Sequence, residues 1–74
     1  MFENEGVATI VCYRLNDVYR ILEESIRDVN EGCRAEEAAA YRGVVSKLFA
    51  ILVFEMMEPL YRKHTKLKPP DWED

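Results

Sequence analysis

The sequence predicts an all-α protein: an antiparallel helical hairpin that dimerises into a four-helix bundle, with a Pro-kinked or broken second helix and an extended C-terminal tail. Three observations carry this. From Val7 to Val29 the apolar residues recur at alternating steps of four and three, the period of a helix and not of a strand. A second segment, AEEAAAYRGVVSKLFAILVFEMM, begins with strong helix formers and ends in bulky apolar residues. Most of the three Gly and three Pro lie near the ends of these segments, where breaks between long helices belong.

The first helix is expected over about residues 5–30. Val11, Leu15, Val18, Leu22 and Val29 form its stripe, widened by Ile10, Ile21 and Ile26, with Ser25 the one polar member. Arg14, Asn16, Asp17, Arg20, Glu23, Glu24, Arg27 and Asp28 fill the other face. Asn4 is the natural N-cap, and Asn30-Glu31-Gly32 reads as a stop with Gly32 in the left-handed position. The second helix is expected over about residues 34–58, with Glu36 and Glu37 at the positive end of its dipole. One stripe of it, Ala38, Tyr41, Val45, Leu48, Leu52 and Met56, can pack on the first helix. Phe49, Val53 and Leu60, and on a third side Ala50, Phe54, Met57 and Tyr61, remain over. Pro59 disfavours helical geometry at Glu58, so the helix should end or kink there, followed by a short helical turn over 59–65 and a tail over 66–74.

In a monomeric hairpin the leftover side chains would form an exposed apolar patch of a kind monomers avoid. A two-fold dimer is the simplest closed solution, with Leu48, Phe49, Leu52, Val53, Phe54, Met56 and Met57 as its interface. The lone tryptophan offers a second cover. Leu67, Pro69, Pro70 and Trp72 either dock the tail on the bundle or form a linear motif for another, unidentified protein; docking on self is preferred because the apolar surface to receive it is already present.

Other chemistries find less support. Fourteen acidic and ten basic residues give a net charge of −4, which argues against a general nucleic-acid or anionic-membrane binder. The basic cluster Arg62, Lys63, Lys66 and Lys68 could contact nucleic acid, but the acidic end DWED offsets it, and cations at a helix C-terminus need no partner. Glu55 and Glu58 sit three apart on nearly one face and could form a metal or small-molecule site in an oligomer. They lack the Glu-x-x-His element of di-metal bundles, and Glu58 has Arg62 four residues on. The acids of nucleotide pyrophosphohydrolase bundles are likewise missing, since Glu23 and Glu24 are too few. His64 lies in a basic turn without a carboxylate to orient it, and neither the serines nor the cysteines have a neighbouring base. No catalytic residue and no cofactor are therefore expected. Cys12 and Cys33, 21 residues apart, would lie roughly 30 Å from one another on a helix, too far for a disulfide. Cys12 reads as a buried apolar residue and Cys33 as a loop residue. No apolar run approaches the ~18–20 residues of a membrane span, and the acidic start MFENEG is unlike a secretory signal, so a cytoplasmic protein is the default.

The segment EPLYRKHTKLKPP, Glu58 to Pro70, resembles the C-terminus of short uncharacterised proteobacterial proteins, in which an apolar helix leads into Pro-x-Tyr-Arg-x-His and then Leu-x-Pro-Pro. The resemblance implies a small bacterial cytoplasmic protein and supplies no catalytic residue.

Overall fold

The computed structural model of the chain describes residues 2–70 and 72. They form two helical arms and no strand. The first arm is α1, Glu5–Gly32. The second contains α2, Ala35–Ala50, a π-helical segment, Ile51–Met57, and α3, Glu58–Lys63; a 3-10 turn, Thr65–Leu67, leads into the tail.

α1 starts as its sequence directs. Asn4 is extended, and its side-chain carbonyl accepts from the Val7 N–H at 3.1 Å, satisfying one of the orphan donors of the first turn. Its end differs from expectation. Gly32 is the last helical residue, no described glycine has a positive φ, and the chain reverses through two extended residues, Cys33 and Arg34. The Cys33 N–H closes on the Val29 carbonyl at 2.9 Å. Because α2 begins directly at Ala35, the turn is made by this extended link and requires no left-handed residue.

The second helix is interrupted near Pro59 as expected, but the irregularity precedes the proline and Glu58 itself stays helical. Glu58 keeps helical angles (φ −61°, ψ −48°) and the second arm continues through the proline. In an α-helix the ring would meet the carbonyl of Glu55, four residues back, and the missing N–H would leave a gap in the ladder. The π-helical turn resolves both problems by widening the coil: the Glu58 N–H reaches the Val53 carbonyl, five residues back. Pro59 then occupies the first turn of α3, where its lack of an N–H costs little.

The wider turn also resets which residues face inward. At the α-helical period Leu52 would be followed inward by Met56. Here Leu52 and Met57, five apart, are both buried, while Met56 is 37% exposed. They join Leu60 and Tyr61 of α3 and Ala8, Cys12 and Leu15 of α1 in the main core. Ala8 is fully covered. Toward the hairpin turn the contact narrows to Ala38 and Val45, and polar bonds take over. Tyr41 and Ser25 share a 2.8 Å hydrogen bond, and Arg42 donates to Asn30 at 2.7 Å. The polar member of the α1 stripe is thus matched by a hydroxyl on the facing helix. Tyr19 stacks on Phe49 between these two regions, with ring centroids 4.6 Å apart.

Leu60 has no exposed surface and stands between both arms. Replacing it with Ala should lower unfolding stability by about 2–5 kcal/mol, read from urea denaturation followed by circular dichroism. Tyr41→Phe should cost only about 1 kcal/mol, since its partner Ser25 keeps a second bond to the Leu22 carbonyl.

Candidate interaction surface

Wrapped this way, the hairpin has two unlike sides. On one, the arms expose large apolar side chains: Val7, Ile10, Val18 and Ile21 from α1, and Val44, Leu48, Ile51 and Met56 from the second arm. Between the arms runs a shallow groove of about 300 Å³ lined by Val18, Leu22, Leu48, Ile51, Leu52 and Met56, with almost no polar surface. This face exists because α1 carries a stripe wider than one partner helix can cover. Leu15 is buried and Leu22 half-buried at the inner edge, whereas Ile21 is 56% exposed at the outer edge.

The residues expected at a dimer interface separate into three groups. Leu48, Phe54 and Met56 are exposed; Leu48 and Met56 line the groove, and Phe54 is not part of its lining. Phe49 and Val53 are half-buried against the core, Phe49 through its stack on Tyr19. Leu52 and Met57 are buried within the chain itself, leaving little of either for a second molecule to touch. The sequence reading missed Val18, Ile21, Val44 and Ile51; it placed Val18 and Ile21 within the α1 stripe without assigning them to a surface, and Val44 and Ile51 in no stripe. The available signal was the width of the α1 stripe, which a single facing helix could not have covered.

On the other side the tail folds back. Trp72 packs edge-on against Tyr61, ring centroids 4.8 Å apart, and Leu67 lies half-buried on the same core. The Trp72 N–H donates to the Pro69 carbonyl, so the Pro-Pro segment turns and does not run on extended. Asn16, Tyr19, Val53, Met57, Tyr61, Pro69 and Trp72 surround a groove of about 350 Å³ there. Beneath it the Cys12 thiol donates to the Tyr61 hydroxyl at 3.8 Å, and the Asn16 amide donates to the Cys12 carbonyl at 2.8 Å. Burial pushes the Tyr61 phenol above its usual range, with Cys12 adding to the shift and the Asn16 side chain opposing it. Of the rest of the tail, Asp71, Glu73 and Asp74 lie outside the described residues.

The polar candidates do not assemble into a site. Glu58 pairs with Arg62, one turn on, while Glu55 is exposed and makes no ion pair among the described residues. No three His, Cys, Asp or Glu side chains among the described residues come together as metal ligands. Of the basic cluster, Arg62, Lys63 and Lys66 are exposed and Lys68 half-buried. His64, at the end of the basic turn, is half-buried: its Nε2 donates to the Phe2 carbonyl at 2.7 Å, tying Phe2 to the end of α3. Phe2 itself has a φ of 62°, a left-handed conformation held by that bond and by its packing on the core. Cys12 is buried and Cys33 exposed, both as free thiols. Among the described residues no helix is long and apolar enough to cross a membrane.

Two measurements check this side of the molecule. Removing residues 66–74 should lower the melting temperature by several degrees, and the emission of Trp72 should shift to the red when the intact chain unfolds. The raised Tyr61 pKa gives folding stability that is fully present below the ordinary tyrosine value and is lost as pH rises through the folded value. The Tyr61→Phe variant should therefore lose less stability than the parent between neutral pH and the alkaline range, as read by melting temperature against pH.

Comparison of the chain with models of known families, with curated proteins and with solved structures finds no match.

Proposed function

We propose that the chain is a cytoplasmic, non-enzymatic, homo-oligomeric helical protein that acts through protein–protein interaction, its basic unit a homodimer closed as a four-helix bundle. The observation that carries this reading is the apolar face shared by α1 and the second arm. Its eight large side chains are about half exposed, and full cover is worth roughly 1 kcal/mol for each. Two copies meeting face to face would gain roughly 15 kcal/mol, which matches or exceeds the about 4–15 kcal/mol cost of association. The ions of the hairpin support a binding role over a catalytic one: the ion pairs Asp17–Arg20, Arg34–Glu37 and Glu58–Arg62 are local, three or four residues apart in sequence. A dimer would leave the tail side, with Tyr61 and Trp72, directed away from the shared face and open to a different protein.

Sedimentation equilibrium tests the reading. The expected mass is twice the 8.7 kDa of the chain. Leu48→Asp and Ile51→Asp, at exposed positions, should give a monomer whose helical circular dichroism is retained. A parent protein that stays monomeric into the high micromolar range overturns the proposal.

A further inference from the structure

Each exposed apolar series contains one charge. On α1 the series Val7, Val11, Arg14, Val18 and Ile21, half-buried at Val11 and exposed at the other positions, advances by fours and threes, and Arg14 is its only ion. On the second arm Val44, Leu48 and Ile51 advance in the same way, and Glu55, four residues on within the wider π-helical turn, just short of one turn from Ile51, is the only ion of that series. Both are exposed, and among the described residues neither makes an ion pair within the chain. The register of the hairpin fixes their heights. Ser25 meets Tyr41, Val18 and Leu22 share a groove with Leu48, Ile51 and Met56, and Cys12 meets Tyr61. Arg14, four residues from Val18 toward the Cys12 end, therefore stands level with Glu55 and Met56.

The geometry points to a second copy of this chain as the occupant of the face, docked about a two-fold axis parallel to the helices and latched by Arg14 of each protomer on the partner's Glu55. This rests on the dimer proposed above and adds its orientation. A parallel axis stacks α1 on the partner's second arm without changing heights. Ile21 then lies over the partner's Leu48, Val18 over the partner's Ile51, and Arg14 over the partner's Glu55. Apolar meets apolar, and cation meets anion, twice per dimer. A two-fold axis in the same plane but across the helices inverts the heights instead. Centred on the groove, it would set Arg14 against the partner's Ile21 and Leu22, and Glu55 against the partner's Leu48. Four charges would then be covered by apolar surface without partners, a costly arrangement. The charges thus act less as a source of affinity than as a device that admits one orientation and penalises the other.

Two experiments separate orientation from association. A spin label on Cys33, which is exposed at the hairpin tip while Cys12 is buried, reports the distance between tips in the dimer. The parallel axis puts both tips at one end, about 10–20 Å apart by helix spacing. The inverted dimer would separate them by close to the 45 Å length of the hairpin. Separately, Arg14→Glu and Glu55→Arg should each weaken the dimer about tenfold or more, and the double charge swap should restore it. A long tip-to-tip distance, or single variants that dimerise as well as the parent, overturns the latch while leaving the dimer standing. A monomeric parent overturns both.

Discussion

The structure depends on the way the second arm gets past Pro59. A proline inside an apolar helix removes a donor and crowds the preceding turn, so the chain must break, bend or change pitch. It changes pitch. The π-helical turn from Ile51 to Met57 keeps the arm continuous, and α3 arrives with Leu60 and Tyr61 aimed at Ala8 and Cys12. Without that turn the main core would lack its third wall, because α2 alone contributes only Ala38 and Val45 to the buried interior.

Two consequences follow from the same turn. Inward, it exchanges Met56 for Met57 in the core. Outward, it leaves Met56 with Ile51 in the lining of the apolar groove. The turn that solves the proline problem therefore also shapes the surface through which we propose the protein acts. π-helical turns in other proteins frequently mark functional positions, and here the reason is mechanical: a change in pitch rotates every side chain beyond it.

Phe2 and Trp72, the first and last described residues, are both held at the α3 end of the hairpin. Phe2 is held by His64, and Trp72 by Tyr61. In a chain of this size a single core is marginal, and these two straps extend it using residues that lie outside the regular helices. They also account for the asymmetry of the hairpin: one side is roofed by the tail, whereas the other keeps Val18, Ile21, Leu48 and Ile51 at the surface.

Much of this was legible in the sequence. The three-and-four spacing from Val7 to Val29 determined α1, Asn4 its start, and the scarcity of Gly and Pro the hairpin itself, because these are local properties of consecutive residues. The pairing of Glu58 with Arg62, the burial of Cys12 and the loop position of Cys33 were readable for the same reason. Tertiary structure decided the rest. Whether Gly32 turns left-handed depends on where the next helix must begin, and whether Pro59 breaks a helix depends on what is gained by continuing it. A helical wheel drawn at a constant period places Met56 inside and Met57 out; only packing against α1 reverses them, because the free energy of burying Leu60 and Tyr61 favours the wider turn. The same holds for the exposed face. Sequence showed that more apolar surface exists than one hairpin can hide, but which residues were left over was settled by the tail, which reached one side of the hairpin and not the other.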